Sequence, residues 1–516
     1  MKRLTLAGLC WLSSGAALAA SPLADLIENG RRGAAAELIA EGADVNAAQG
    51  DGTTPLHWAA YKLDTELVRL LLEHGARADA ANRYGATPLG EAVKAADAGL
   101  VGLLLEAGAD PDVPNEDGET ALMIAARTGS LEIAQQLVAA GANVNAREQW
   151  REQTALMWAA EGAFPDVVQL LIERGADVRA RAAANDWGSQ ITSEPRAQYR
   201  PTGGLTPLLY AARSGCAGCA RAILAAGEAV DRPTPDGVTP LMLAIDNYEF
   251  DTAAVLLDAG ANPHLADWWG RTALYLAVDM NSYTPRSRAF PRSKTATGMA
   301  LVERLLAAGV EVNPQLNFHR PGRGGNSARF VDDLLTTGAT PLLRAAIMHD
   351  HEAMRALLEH GAHVDLPNAM GVTPLMAAAG IGVREPGFGA NRAPDFTSTE
   401  IENQVIASLE IVLAAGADID AAVTDTQSRT ARIARLSSMT DRLGQTALHS
   451  AAGRGWALVV GYLLEHGADA RNEDALGRTP LDMAVTPVGG RAVPNSDAIA
   501  QMLRSSMGSA AAARSR

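Results

Sequence analysis

The chain has 516 residues and carries 44 Lys and Arg against 59 Asp and Glu, which gives a formal net charge of −15. Hydrophobic residues make up 47% of the chain but aromatic residues only 4%, and there are 49 glycines. The apolar residues are therefore mostly small and aliphatic, which suits close packing between helices better than one thick globular core. This composition excludes a disordered chain. The acidic balance disfavours generic binding to nucleic acid or anionic lipid, and no apolar run reaches the roughly 18 residues of a membrane span.

The first nineteen residues have the organisation of a secretory signal peptide. Lys2 and Arg3 precede an apolar run over 4–12, and the small-x-small triplet Ala-Leu-Ala follows at 17–19. We therefore expect cleavage after Ala19 and a periplasmic or secreted mature protein, since the cleavage pattern resembles bacterial ones. Cleavage would leave two cysteines, which are too few for a disulfide framework in a chain of this length.

A repeat with a period near 33 residues occupies most of the remaining chain. Its first marker is a Thr-Pro-Leu or Thr-Ala-Leu triplet, and most successive triplets lie 33 or 34 residues apart. A second marker, Leu-Leu-x-x-Gly-Ala, runs in step with it, as at 71–76 and 357–362. A period of this length predicts a stack of supersecondary units, none of which can bury its apolar faces alone. The threonines of the triplets are Thr54, Thr87, Thr120, Thr154, Thr206, Thr239, Thr272, Thr340, Thr373, Thr446 and Thr479.

Each repeat predicts two short helices and a turn. Threonine before Pro or Ala is a helix N-cap, and Leu-x-x-Ala-Ala continues as a helix with a small-residue face. Gly129, Gly215 and Gly453 stand where the turn into a second helix is expected, and leucines at helical spacing, such as Leu67 and Leu71, mark that helix. The Gly of Gly-Ala is a C-cap with positive φ. The Asn- or Asp-containing stretch after it predicts a hairpin-like turn, here called the finger, that leads to the next threonine.

These features resemble the ankyrin repeat family. Residues 51–60, Asp-Gly-Thr-Thr-Pro-Leu-His-Trp-Ala-Ala, are nearly the family's first half-repeat, and residues 141–146, Gly-Ala-Asn-Val-Asn-Ala, match its ending. The resemblance covers about 22–505 and implies an all-α solenoid of stacked helix-turn-helix units, of an exported bacterial type. His57 and His449 occupy the family's histidine slot, and we interpret both as structural hydrogen-bonding groups because methionine fills that slot in other repeats.

The resemblance also sets the domain boundaries. We assign the ankyrin repeat domain to 20–507, with about eleven motif-bearing repeats and an N-terminal capping repeat at 22–46 that lacks the Thr-Pro-Leu triplet. Residues 496–507 are predicted as the final helix. The low-complexity tail 508–516 is expected to be disordered.

Five long gaps between markers place insertions in the loops of the repeats, where they leave the stacked helices intact. They lie near 182–203, 281–297, 314–337, 381–403 and 422–443. The second and third contain basic residues without acidic ones over 281–297 and 314–330. One interpretation is a docking site for an acidic protein surface, a phosphate or a polyanion, and the other is a solvated loop. The basic candidates are Arg286, Arg288, Arg292, Arg320 and Arg323.

The resemblance implies further partner-binding positions at the finger tips and after the Ala-Ala pair of the first helix. Aromatic residues and arginine dominate interface hot spots, which selects Tyr61, Tyr84, Trp150, Arg151, Trp268 and Trp269. The two adjacent tryptophans are the sharpest case, because neighbouring residues of an extended finger point to opposite sides. At least one of them should be exposed, although both could instead cover neighbouring loops.

No pattern predicts catalysis, a cofactor or a metal site. The chain has neither a Gly-x-Ser-x-Gly elbow nor a His-Glu-x-x-His motif. Cys216 and Cys219 form a Cys-x-x-Cys at the start of a predicted second helix, where an i, i+3 pair is close enough for a disulfide. Redox activity and metal binding are the alternatives for this pair, but the βαβ context of a thioredoxin-type site is missing.

The expected function is therefore non-covalent protein binding, as a scaffold, chaperone-like factor or inhibitor. This expectation comes from the family resemblance, since periodicity alone indicates only the solenoid. Two other classes stay open. One is a thiol–disulfide redox protein that uses Cys216 and Cys219, and the other is a secreted effector that binds a host protein.

Overall fold

The computed structural model describes residues 21–185, 202–282, 295–317, 334, 337–381, 398–426, 442–486 and 492–514. These residues fall into two compact units, the first ending at Ala183 and the second beginning at Ala184. The division lies inside the first predicted insertion, whereas the sequence analysis assigned a single repeat domain to 20–507. The signal peptide predicted for residues 1–19 lies outside the described residues.

The first unit is built of five helix pairs. Within each pair a tight turn separates a first helix from a second, and each first helix packs against the first helices of adjacent pairs. The helices are α1 Pro22–Glu28, α2 Arg32–Ala40, α3 Pro55–Tyr61, α4 Thr65–Glu73, α5 Pro88–Lys94, α6 Ala98–Glu106, α7 Ala121–Thr128, α8 Leu131–Ala139, α9 Ala155–Glu161 and α10 Pro165–Glu173.

The second unit contains seven helix pairs in its described part, stacked in the same way. It begins with a two-residue antiparallel strand pair, in which Ala184 and Asn185 lie opposite Gly203 and Thr202. The predicted all-α solenoid of stacked helix pairs is confirmed. The elements are β1 Ala184–Asn185, β2 Thr202–Gly203, α11 Pro207–Ser214, α12 Ala217–Ala225, α13 Pro240–Asp246, α14 Phe250–Asp258, α15 Ala273–Asn281, α16 Gly298–Ala307, α17 Pro341–Ile347, α18 His351–Glu359, α19 Pro374–Ala378, α20 Ser398–Ala414, α21 Ala447–Arg454, α22 Ala457–Glu465, α23 Pro480–Val485 and α24 Ser496–Arg514.

The repeated threonine determines where each first helix begins. Thr87 has extended backbone angles, and its Oγ1 accepts a hydrogen bond from the backbone N–H of Gly90 at 2.9 Å. This bond satisfies one of the amide groups that a helix start leaves without a partner. Each of the eleven threonines of the triplets is the N-cap of a first helix, as predicted.

Glycine ends several first helices, but not always at the predicted position. Gly129 and Gly215 are C-caps in the left-handed conformation, with φ of 72° and 74°. The prediction for Gly453 was wrong, because this residue lies inside α21 and Gly455 is the cap, with φ of 75°. Gly453 has a packing reason instead, since a Cβ there would lie 3.3 Å from the Met483 side chain of the next first helix.

The fingers are tight turns held by one polar side chain each. The backbone N–H of Asn82 donates to Ala86 O at 3.0 Å, and that of Gly85 donates to Asn82 O at 3.0 Å. The Oδ1 of Asn82 accepts from the N–H groups of Tyr84 and Ala86. The Asn82 side chain therefore satisfies two backbone N–H groups of the turn that would otherwise bond to water. The same arrangement is built on Asn115, Asp267, Asn368 and Asp474.

A second polar position bonds consecutive repeats to each other. Asn46 lies in the Gly-Ala-x-x-Asn exit of its repeat, and it donates to Gly75 O and accepts from Arg77 N–H in the next repeat. Asp112 likewise accepts from the N–H of Asn143 at 2.8 Å. Asn and Asp at these positions therefore join consecutive repeats in addition to forming the turn that the sequence predicts.

Most residues of the five predicted insertions lie outside the described residues, and two helices extend further than expected. The helix α20 begins at Ser398, so the predicted insertion 381–403 overlaps its first turns. Its apolar residues Val405, Leu409 and Val412 are fully buried, and Glu402 near its start is 4% exposed and accepts from the backbone N–H of Leu458 at 2.7 Å. At the end of the chain, α24 continues to Arg514 through an alanine-rich stretch where we expected a disordered tail. Alanine has the highest helix propensity, which accounts for the extension.

Candidate functional site

Most aromatic side chains of the first unit lie on its first helices and fingers. Tyr61 at the end of α3 is 60% exposed, and its ring meets Trp58 edge-to-face with ring centres 5.8 Å apart. The indole N–H of Trp58 donates to Gln49 Oε1 at 2.8 Å, which connects this helix to the preceding finger. Lys62 Nζ lies 5.8 Å from the centre of the Tyr61 ring. Tyr61 is therefore an exposed ring with a fixed neighbour on each side.

The fingers of the first unit present two further exposed rings. Tyr84 is 56% exposed and Trp150 is 76% exposed, the largest value among the bulky apolar residues of the described chain. The indole N–H of Trp150 donates to Asp117 Oδ1 at 3.0 Å, one finger earlier. The predicted candidate Arg151 is also exposed and follows Trp150 in the same turn.

The turn that holds Trp150 is built on a buried carboxylate. Glu148 is only 5% exposed, and its two oxygens accept from the backbone N–H groups of Trp150, Arg151 and Gln153 at 2.6 to 2.9 Å. The backbone of Gln149 donates to Asp117 O at 3.0 Å. Both the backbone and the ring of this finger are thereby fixed against the finger before it.

The adjacent tryptophans of the second unit lie on opposite sides of their finger. Trp268 is 46% exposed, whereas Trp269 is 5% exposed. The Trp269 ring packs 5.0 Å from the guanidinium of Arg271, which also pairs with Asp267 at 2.6 Å. Burial raises the pKa of Asp267, although Arg271 opposes that shift. Trp268 keeps its predicted place on the surface, but Trp269 belongs to the interior of the finger and does not present its ring to a partner.

The cysteine pair is a disulfide at the start of a second helix. Cys216 is the N-cap of α12, its Sγ accepts from the backbone N–H of Cys219, and the two residues are disulfide-bonded with Cα atoms 5.2 Å apart. Cys216 is 6% exposed and Cys219 is fully buried. The pair therefore lies inside the stack of helices.

The histidines of the family slot are hydrogen-bonding groups, as interpreted. Nδ1 of His57 accepts from the backbone N–H of Thr54 at 3.1 Å, so a neutral ring carries its proton on Nε2, 2.9 Å from Ala86 O. His449 makes the equivalent contacts with Thr446 and Arg478. Burial lowers the pKa of both histidines. Within the described ranges, no group of three or more His, Cys, Asp or Glu side chains is placed to hold a metal ion.

One buried ion pair escaped the sequence analysis. Arg344 of α17 and Asp279 of α15 lie on first helices that pack against each other, and they are 0% and 1% exposed. Arg344 Nε donates to Asp279 Oδ1 at 2.5 Å. In the sequence, the only indication of this ion pair is one charged residue on each of two consecutive first helices.

The basic candidates of the insertions all lie outside the described residues; they are Arg286, Arg288, Arg292, Arg320 and Arg323. Among the helices that the structure describes, none is long and apolar enough to cross a membrane.

Comparison with known protein families agrees with this arrangement of capped helix pairs joined by hydrogen-bonded fingers. The family profile described as "Ankyrin repeats (3 copies)" matches residues 23–112, 92–182, 191–267, 208–284, 296–383 and 410–506. The chain belongs to the ankyrin repeat family. Ankyrin repeats are protein-interaction modules, and the surface to examine is therefore the one formed by fingers and first helices.

Several relatives share this repeat but not the full length. The chain is 30% identical over 247 residues to the B-cell lymphoma 3 protein homolog of Mus musculus, which covers 48% of this chain and 39% of that protein. It is 36% identical over 140 residues to the Neurogenic locus Notch protein of Drosophila melanogaster, of which it spans only 4%. The solved structure of the human ASB11 ankyrin repeat domain covers 47% of this chain and all of its own, with 27% identity and a TM-score of 0.37.

Proposed function

We propose that this ankyrin repeat protein binds a partner protein non-covalently in the periplasm or outside the cell, as a scaffold, chaperone-like factor or inhibitor. The exposed aromatic side chains on the fingers and first helices carry this proposal. Tyr61, Tyr84, Trp150 and Trp268 are 46% to 76% exposed. Exposed rings held by neighbouring contacts lose little conformational freedom on binding, which is why such residues dominate interface energies.

Two observations support the exported location. The sequence of residues 1–19 has the pattern of a signal peptide. The disulfide between Cys216 and Cys219 is of the kind that persists in oxidising compartments. Cell fractionation of the tagged protein tests this location. Uncleaved protein found solely in the cytosol would contradict it, and protein recovered from the medium or a host cell would favour the secreted effector.

The binding proposal is tested by crosslinking in cells. A photoreactive amino acid is placed at position 150 in the first unit or at position 268 in the second, and adducts are identified by mass spectrometry. A control position is Glu132, which is exposed on the second helix α8. One dominant partner at a finger position, and no such adduct at 132, is the expected result. The absence of any partner adduct from finger positions would overturn the proposal.

The disulfide supports a second candidate function, a thiol–disulfide redox protein. A redox site needs a sulfur that its substrate can reach, and the near-complete burial of both sulfurs counts against this role. The double variant Cys216→Ser/Cys219→Ser separates the two functions. If the variant still crosslinks to the partner, binding does not depend on the disulfide. If the variant folds normally but cells that carry it lose the function of the wild-type protein, the redox role is favoured.

A further inference from the structure

The charge of the protein is concentrated in the first unit. Residues 21–183 contain 25 acidic and 13 basic residues, a formal net charge of −12 within a chain of −15. A surface with this excess attracts positively charged partners and accelerates their association at low ionic strength. Net charge alone names no binding position, so the position has to come from the geometry.

Three consecutive finger tips form a row of ring, acid and ring. Tyr84 lies on the first of these tips, the exposed acids Glu116 and Asp117 lie on the second, and Trp150 lies on the third. The tips touch one another: a Cβ on Gly85 would lie 2.9 Å from backbone atoms of 114–115, and one on Gly118 would lie 2.7 Å from the Gln149 side chain.

Trp150 and Asp117 are positioned to receive a cation. The hydrogen bond of 3.0 Å between the indole N–H and Asp117 Oδ1 fixes the ring and keeps a carboxylate at its edge. An ammonium or guanidinium group over the face of a tryptophan is attracted by the ring, and a carboxylate within reach of that group adds to the attraction.

Two basic side chains near this row are engaged elsewhere, whereas Arg151, directly after Trp150, is exposed on the third tip. Arg83 donates from Nη2 to Gly50 O at 2.9 Å, on the finger before Tyr84. Arg127 pairs with Glu119 at 3.0 Å and lies over the Trp158 ring. These contacts leave Glu116 and Asp117 as the exposed charges of the central tip.

We propose that these three finger tips bind an extended lysine- or arginine-rich segment of the partner protein, with one cationic side chain on the Trp150 ring beside Asp117. The inference rests on the proposed binding function and specifies the partner's chemistry. It differs from the acidic partner that the basic insertions suggested, because it concerns a different surface with the opposite charge.

The test measures binding of the full chain to two labelled peptides by fluorescence anisotropy. One peptide alternates lysine and serine, and the matched peptide alternates glutamate and serine. We expect binding of the lysine peptide alone, with affinity that falls as the salt concentration rises from about 0.05 to 0.3 M. Equal binding of both peptides, or affinity that does not change with salt, would overturn the inference.

Variants separate the finger site from general attraction to an acidic protein. Trp150→Ala should weaken binding of the lysine peptide by about twofold to fivefold, which is the range of an exposed cation–aromatic contact. Asp117→Asn should weaken it severalfold, whereas Glu132→Gln removes the same charge from the exposed side of α8 and should leave the affinity unchanged. Equal losses for Asp117→Asn and Glu132→Gln, or no loss for Trp150→Ala, would refute the finger site.

The crosslinking experiment distinguishes failure of this inference from failure of the function. If position 268 captures a partner and position 150 does not, the protein still binds a partner but not through these three tips. If position 150 captures a partner segment without lysine or arginine, the surface is correct and the stated chemistry is wrong. Capture of a basic segment at 150 supports both.

Discussion

Acidification should loosen the contact between α18 and α20, because it depends on a neutral His349. This residue follows α17 with φ of 54°, and its Nδ1 lies 2.9 Å from Ser408 Oγ on α20. His351 Nε2 lies 3.0 Å from the same hydroxyl. Burial, together with a smaller contribution from the nearby His351, lowers the pKa of His349 from 6.5 to about 4.

The lowered pKa of His349 determines both the direction and the size of the change in folding stability with pH. An unfolded chain binds the proton below about pH 6.5, whereas the folded chain resists it until about pH 4. The stabilisation is therefore complete above pH 6.5 and is lost as the pH falls toward 4. A shift of this size corresponds to about 3 kcal/mol, since one pKa unit equals about 1.4 kcal/mol.

Hydrogen exchange is the suitable assay, because repeat proteins open locally and not as one two-state unit. Between pH 7 and 4.5, and after correction for intrinsic rates, the amides of α18 and α20 should lose about fiftyfold or more of their protection in the wild type. His349→Asn keeps a residue that tolerates positive φ but does not titrate, so its protection should change much less. His264→Asn, at an exposed histidine, is the matched control and should behave like the wild type. If His349→Asn loses protection as steeply as the wild type, the reasoning is refuted.

Three other predictions concern buried structure. Arg344→Met should destabilise the second unit by about 3 kcal/mol or more by leaving Asp279 buried without its cation, and the double variant with Asp279→Leu should recover most of that loss in urea unfolding; a double variant no better than the single would count against the pair. Gly455→Ala should lower the melting temperature strongly because the new Cβ would lie 2.4 Å from a backbone oxygen, whereas Gly42→Ala, with open space around it, should show only the cost of about 1 kcal/mol for positive φ. Opening the Cys216–Cys219 disulfide should cost about 2 kcal/mol, since it closes a very short loop, and unchanged unfolding of the double serine variant would contradict this.

Helix starts could be predicted from the sequence because each depends on one local interaction. A threonine before Pro or Ala caps its helix without help from distant residues, and every such threonine of the triplets is a cap in the structure. Helix ends were less predictable. Gly453 and Gly455 are both near the end of α21, and only contacts with Met483 and residue 494 distinguish the packing glycine from the capping one.

The length of α20 shows a second limit of predicting helices from the repeat pattern. The predicted insertion ends at 403, which places the start of the second helix near 404, and the other second helices except α24 have nine or ten residues. N-terminal to that point the buried residue is Glu402, which accepts a hydrogen bond from the backbone N–H of Leu458, and α20 has 17 residues. A repeat pattern predicts what the units share, whereas an insertion adds structure that the pattern does not contain.

Contacts between repeats can also be derived from the sequence, although they were not predicted above, because the period determines which residues become neighbours. Asp117 and Trp150 are 33 residues apart and occupy equivalent places on adjacent fingers. Asn46 with Arg77 and Asp112 with Asn143 are both 31 apart.

An insertion lengthens this separation without changing the type of contact. Asp365 accepts from the N–H of Asp418, 53 residues later, through the same exit position as Asp112. Desolvation raises the pKa of Asp365, and the nearby Asp418 carboxylate adds to the shift. The insertion lies between Thr373 and the Gly-Ala exit at Gly416, so aligning the repeats by the Gly of that exit, and not by residue count, places these groups side by side. The same alignment places Asp117 beside Trp150, so the cation-binding row on the fingers follows from the order of the repeats and the identity of a few tip residues.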